Sequence, residues 1–309
     1  MTVKIEADAL VAAVLRRADL RARSLIVTLF GDAIVPHGSR IWVGSLIRLL
    51  APFGITEGVA RTAVLRLARE QWLSAQAAGK RSEYTLTDSS AKQFEPAERH
   101  IYALSRAPWD GRWRIVVALP GALTVSERRY LRITLGWQGF GKLGDGFFIH
   151  PSASLERALD ALTLKEAPSL RARLLVLTGD PPAGRSADPR TLVHEAWDLA
   201  ALSREYAGFI RRYQPLAGAP ARNAAAEPAF VLRTLLVHDY RRLLLRDPEL
   251  PDELLPANWH GRAAQALAAE LYRSVAPASQ AHLANELLTA DGRHPPALPA
   301  YARRFGGAT

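Results

Sequence analysis

The period of hydrophobic and polar positions changes several times along the chain, and the changes divide it. Leu25-Ile26-Val27-Thr28-Leu29-Phe30 is apolar on several sides and stops at Gly31-Asp32. That predicts a buried first helix with Ser24 as its N-cap. Residues 43–50 form a second short helix, turned by Pro52 and Gly54. A third starts after Thr56, its expected cap, with Glu57 against the positive helix end. At 100° per residue, Ala60, Val64, Leu67 and Gln71 share one face of it; Gly58, Thr62, Arg66 and Arg69 share the other, with Arg61 at the margin. Residues 73–76 and 82–86 then alternate loosely around Gly79, as the strands of a hairpin do. Three short helices followed by a hairpin tipped by Lys80 and Arg81 are the order of a winged helix-turn-helix, expected over residues 23–98. Residues 1–22 read as an arm, partly disordered or a loosely docked helix, and 88–99 as a polar linker helix.

The pattern restarts at Trp109. A strand over 113–119 ends at Pro120-Gly121, and a helix opens at Ser126 and runs to residue 135. Two short strands flank Gly144-Asp145-Gly146. Leu155, Leu159 and Leu162 have helical spacing, and 173–178 is a last strand. The order βαββαβ over about 70 residues is the split βαβ, ferredoxin-like arrangement, expected over 99–182. A Pro/Gly loop at 181–189 makes a boundary. Beyond it the chain reads as a helical C-terminal domain, 183–309, with helices over 191–213, 228–246, 261–275 and 279–288 and an end that frays from Arg303. The expected class is α+β.

Composition narrows the function. At 309 residues the prior is two or three domains. The net charge is +10, and only five of the 40 basic residues are Lys. An Arg-rich composition bias accounts for part of that; a positive field also raises encounter with polyanions. Without cysteine there is no disulfide, thiolate metal site or Cys nucleophile. Glu6 and Asp8 interrupt the start, so it does not read as a signal peptide. No apolar run approaches the roughly 20 residues that span a bilayer. The expected location is the cytoplasm.

Four ordered stretches resemble one family over residues 20–285: residues 23–32, Pro108-Trp109-Asp110-Gly111-Arg112-Trp113, Trp197-Asp198-Leu199, and Leu236-Val237-His238-Asp239-Tyr240-Arg241-Arg242 with Leu245-Arg246-Asp247-Pro248. They look like the PaaX family of bacterial regulators, repressors of phenylacetic acid degradation operons. The resemblance implies a GntR-like winged-helix domain, a Cas2-like ferredoxin fold and a helical C-terminal domain. It also implies repression of a catabolic operon, relieved by phenylacetyl-coenzyme A. That effector enters only through the resemblance.

The candidate DNA contacts are Thr56, Arg61, Thr62, Arg66, Arg69, Lys80 and Arg81. Arg to guanine is the commonest specific base contact, whereas Lys80 and Arg81 at a hairpin tip would position on phosphates. The alternative is a solvated helix face, and the adjacent hairpin and the charge favour DNA. A thioester effector needs cations for its phosphates and an apolar slot for its acyl group; the expected ligand residues are Trp109, Arg112, Arg114, His238, Tyr240, Arg241 and Arg242. No cofactor or metal is expected. A Cas2-like metal-dependent nuclease is the enzymatic alternative. It would need carboxylates at the end of the first strand of the central unit, where Leu119-Pro120 stands and Asp110 comes too early. A non-specific architectural DNA binder is a third reading. The chain shows no Gly-x-Ser-x-Gly elbow, phosphate-cradling loop or catalytic triad. The expected partners are double-stranded operator DNA, an acyl-CoA effector and a second copy of the chain, since a two-fold dimer reads palindromic half-sites.

Overall fold

The computed structural model describes residues 2–79, 81–102, 108–163, 168–180 and 188–306. The chain forms two compact units. Unit 1 comprises Met1–Leu104, Ala207–Arg242 and Arg262–Thr309; unit 2 comprises Ser105–Tyr206 and Leu243–Gly261. Residues 183–309 are therefore shared between both.

Unit 1 begins with α1 (Thr2–Arg16), in which Ala7, Val11 and Val14 are buried. The arm is a docked helix because those three positions repeat on one face. Helix α2 (Ala22–Leu29) starts at Arg21, not Ser24, and no side chain caps it. Ser24 lies inside the first turn, where its carbonyl accepts from the Thr28 hydroxyl. The helix does not stop at Gly31-Asp32 either: a π-turn over Phe30–Ile34 continues it and carries Asp32 into the core.

Next come β1 (Arg40–Trp42), α3 (Val43–Leu50) and α4 (Glu57–Arg69). Thr56 is the N-cap of α4 by backbone conformation, without a side-chain cap bond. Ala60, Ala63, Val64 and Leu67 are the buried face of α4, packed toward α2 and α3. Gln71 does not share that face, because the helix ends first and Gln71 sits at a positive φ of 59°. Strands β2 (Leu73–Ala78) and β3 (Arg81–Leu86) form the hairpin. Strand β1 adds to it antiparallel, giving the order β1-β3-β2. Helix α5 (Asp88–Tyr102) follows.

Unit 2 holds β4 (Trp113–Ala118), α6 (Val125–Trp137), β5 (Gly141–Gly144), β6 (Phe147–His150), α7 (Leu155–Thr163), α8 (Pro168–Arg171) and β7 (Leu174–Gly179). All pairings are antiparallel, in the order β5-β6-β4-β7. That is the strand order of the expected βαββαβ unit. Val116, Phe148, Leu131, Leu135, Ala158 and Leu162 join sheet and helices into one core. Thr124 and Glu127 close a capping box on α6, and Arg173 holds Glu127 from beside β7. That partner holds the Glu127 carboxyl down at about 2.

The expected helix over 191–213 is two: α9 (Arg190–Ala196) and α10 (Leu199–Tyr213). The break is extended backbone at Trp197, whose ring nitrogen donates to the Gly139 carbonyl at 2.9 Å. A side chain at Gly141 would lie 2.6 Å from Trp197 and Ala196, so only glycine lets the indole seat there.

Unit 1 is completed by α11 (Ala219–Asn223), α12 (Ala226–Leu244) and α13 (Gly261–Glu286), whose outer residues count to unit 2, and by α14 (Pro299–Ala302). Helix α13 runs through Pro277, merging two expected helices. Burial of Leu271, Tyr272 and Val275 before the proline and of Ser279 and Leu283 after it holds both halves in line. The end is not frayed at Arg304 and Phe305, which are 4% and 1% exposed.

Candidate nucleic-acid interface and ligand site

The outward face of α4 carries Arg61, Thr62, Arg66 and Arg69, all exposed, with Gly58 open to solvent. Two acidic residues preorganise these cations. Glu57 holds Arg61 at 2.7 Å, and Glu70 pairs with Arg66 at 3.5 Å and also with Arg23. The Thr62 hydroxyl donates to the Gly58 carbonyl at 2.8 Å. Such exposed pairs are worth little in water, so an incoming phosphate or guanine edge can displace them.

The hairpin is different. Arg81 is drawn back onto its own unit: Nη1 donates to the Ala290 carbonyl at 2.7 Å, and the guanidinium lies 4.4 Å from the Trp42 ring centroid. Glu83 fixes the same segment by accepting the Ala290 amide at 2.5 Å. Lys80, the other expected tip cation, lies outside the described residues.

The expected ligand residues are divided between the two units. Trp109, Arg112 and Arg114 belong to unit 2, and His238, Tyr240, Arg241 and Arg242 to unit 1. Arg114 grips Asp110 with two bonds of 2.7 and 2.8 Å and also donates to the Arg112 and Pro151 carbonyls. The Arg114 bonds and the Arg112 amide hold the Asp110 carboxyl down at about 2. Arg112 donates to the Thr178 carbonyl at 3.3 Å, and Trp109 closes the turn on the Arg112 carbonyl and stacks edge-on against Trp113. This stretch is a clasp at the start of β4. Its Asp110 is engaged, and β4 is followed by Leu119 and Pro120.

In unit 1, His238 and Tyr240 are 1% and 2% exposed. His238 Nδ1 lies 2.9 Å from the Thr28 hydroxyl, which itself donates to Ser24, so the imidazole is the donor. Burial pushes the His238 pKa down to about 4. Arg241 reaches the Ser24 hydroxyl at 3.3 Å, and burial lowers its pKa as well. Tyr240 packs among Phe209 and Phe305. Asp239 turns away to accept from Arg212 at 2.6 Å and Tyr213 at 3.0 Å. Only Arg242 is exposed. His238 and Tyr240 thus pack in the interior of unit 1.

One constellation was not expected. Asp32, 2% exposed, accepts at Oδ2 from Arg233 (2.7 Å) and at Oδ1 from Tyr102 (2.7 Å), Tyr272 (3.0 Å) and Arg304 (3.3 Å). Burial pushes its carboxyl up, but the charges of Arg233 and Arg304 more than offset this and hold it below its ordinary value. Glu98 balances the second guanidinium, 2.6 Å from Arg304. Arg304 also donates to the Gly31 and Asp32 carbonyls that the π-turn leaves open.

No described helix is long and apolar enough to cross a membrane. Family models match in three consecutive parts: PaaX-like protein over residues 21–90, PaaX protein central Cas2-like domain over 106–189, and PaaX-like protein C-terminal domain over 197–285. Transcriptional repressor PaaX of Escherichia coli (strain K12) is 37% identical over 290 residues, which cover 92% of this chain and 90% of that protein. Among solved structures, the uncharacterized protein Rv0674 from Mycobacterium tuberculosis is similar at a TM-score of 0.56 and 26% identity, covering 84% of this chain and 97% of that one. Matches of this extent, in the order of the family's own parts, show that the chain belongs to the PaaX family of transcriptional repressors, regulators rather than enzymes.

Proposed function

We propose that the protein is a sequence-specific repressor of a phenylacetate catabolic operon, that residues 23–98 are its winged helix-turn-helix, and that α4 reads bases in the major groove. The observation that carries this is the division of α4. Its apolar face is sunk against α2 and α3, while Arg61, Thr62, Arg66 and Arg69 stand outward beside a hairpin that β1 completes into a three-stranded sheet. Operator binding is by a homodimer, whose two-fold axis matches a palindromic site. Strand β7 supports it: Leu175 and Leu177 stand exposed on the face of this edge strand opposite the core-packed Leu174 and Val176, an apolar patch a partner can cover. A phenylacetyl-CoA effector binds the DNA-free form better than the bound form and so shifts the equilibrium off the operator. The kinship supports that effector, as does the need of such a regulator for a pathway signal.

The test is fluorescence anisotropy on the duplex upstream of the gene and on a random duplex at one salt concentration. Arg61→Ala and Arg66→Ala should each cost roughly 1–3 kcal/mol on the operator and less on random DNA. Equal losses on both duplexes reject base reading by α4. Release of the wild type by phenylacetyl-CoA but not by phenylacetate is the expected effector result, and no release rejects that effector.

A further inference from the structure

Unit 1 contains a half-open cavity of about 440 Å³ between α1 and the turn that ends α10. Leu10, Ala13, Val14, Pro215 and Leu216 line it, and Val14 and Leu216 are buried in its floor. Arg17, Arg211 and Arg212 stand on its rim. Arg212 is held by Asp239, but Arg17 and Arg211 have no ion-pair partner among the described residues. Two guanidinium groups without an ion-pair partner therefore stand at the mouth of an apolar slot, open to an anion. The volume lies within the range of small-molecule sites, roughly 300–1,000 Å³.

We propose that this cavity is the effector site: it takes the acyl group of an acyl-CoA thioester against Leu10, Ala13, Val14 and Leu216, with thioester phosphates on Arg17 and Arg211. The assignment rests on the acyl-CoA reading above and places the effector at residues other than those the sequence suggested. A thioester matches both halves of the site, because guanidinium forks hold phosphate oxygens in pairs and the slot takes an apolar group. Free phenylacetate offers a single carboxylate and far less contact area. The position also supplies a route to DNA. Only residues 17–21 separate α1 from α2, and α2 packs on α4. A second tie, Asp8 accepting the Ala225 amide at 3.1 Å, fixes α1 to the segment that starts α12. Ligand that orders α1 against residues 211–216 therefore acts on the segment leading into the DNA-contacting helices.

The test is calorimetry on the full-length protein with phenylacetyl-CoA, octanoyl-CoA and coenzyme A, for wild type, Ala13→Trp, which fills the slot, and Arg17→Glu/Arg211→Glu, which spares the apolar lining. The expected result is thioester binding by wild type, weakened about tenfold or more in both variants, with circular dichroism unchanged. If wild type binds phenylacetyl-CoA and both variants bind it equally well, the cavity is not the site, while the effector reading stands. If octanoyl-CoA alone binds and Ala13→Trp abolishes it, the cavity stands and phenylacetyl-CoA falls. If neither thioester binds, or coenzyme A binds as tightly as both, the proposal is overturned.

Discussion

Replacing Asp32 by Asn tests whether the buried charge cluster holds unit 1 together. The change removes one negative charge from between Arg233, fully buried, and Arg304, 4% exposed. It also turns one acceptor into an NH₂ group. If that group occupies the Oδ1 position it faces the Tyr102 and Tyr272 hydroxyls and Arg304; at the Oδ2 position it faces Arg233 Nε at 2.7 Å. Either orientation sets donor against donor. Breaking a buried ion pair by removing one partner costs about 3–5 kcal/mol, and nothing here lowers that figure, since Glu98 compensates Arg304 but not Arg233. Hydrogen exchange followed by mass spectrometry reads the effect on α12, whose buried amides open only with the unit. Their exchange at pH 7 should accelerate about 10²–10⁴-fold. The double variant Asp32→Asn/Arg233→Met removes the orphaned charge and should recover a large part of the loss. Acceleration below about tenfold in Asp32→Asn, or no recovery in the double variant, would refute the account.

His150 and His238 both have folded pKa values of about 4 against an ordinary 6.5, because burial disfavours their charged forms. Their contribution is complete above pH 6.5 and is lost as pH falls toward 4, at roughly 2 kcal/mol each between pH 7.5 and 5; a His238→Asn variant whose α12 protection keeps the wild-type pH profile would reject the assignment for that residue. Arg114→Met should destabilise unit 2 through the Pro151 carbonyl left without its donor, seen as an earlier urea transition of tryptophan fluorescence, and an unchanged midpoint would show that the clasp is idle. Leu175→Lys/Leu177→Lys should sediment as a monomer if β7 makes the dimer; a persisting dimer moves the interface elsewhere. Each of these uses the full chain, because a cut near residue 99 would divide unit 1, which takes in α12 and α13 as well as α1 to α5.

The face of α4 was legible because a 3.6-residue period needs only local residues: Ala60, Val64 and Leu67 declare the buried side, and Thr62, Arg66 and Arg69 the other. The strands of unit 2 were legible for the same reason. What failed was set by partners far along the chain. Asp32 after Gly31 reads as the stop of an apolar helix, yet its ligands Arg233 and Arg304 lie 201 and 272 residues away. Arg81 reads as a hairpin-tip cation, yet Ala290 and Trp42 take its guanidinium. Arg304 reads as part of a loose end, yet Asp32, Glu98 and the rings of Tyr102 and Tyr301 bury it.

Of the stretches that carried the family resemblance, residues 23–32 read as a buried helix and residues 236–242 as a source of ligand contacts, and these two face each other. Ser24, Thr28 and Asp32 are spaced four apart on α2 and its π-turn. They meet Arg241, His238 and Arg233 of α12 in descending order, so the two helices run antiparallel along a polar seam. A row of small polar residues at intervals of four inside an apolar helix was the available signal, since a buried hydroxyl or carboxylate demands a partner on whatever packs there. That seam changes what the motif means. α2 packs on α4 and is pinned by α12 at three points, so α4 takes its position from the C-terminal part of unit 1 as well as from its own neighbours. A buried seam of this kind either holds or breaks, because a half-satisfied polar contact costs more than none. In the mechanism proposed above, this seam would be the rigid element that differential ligand binding requires, and α1, which leads into α2, the part an effector would move against it.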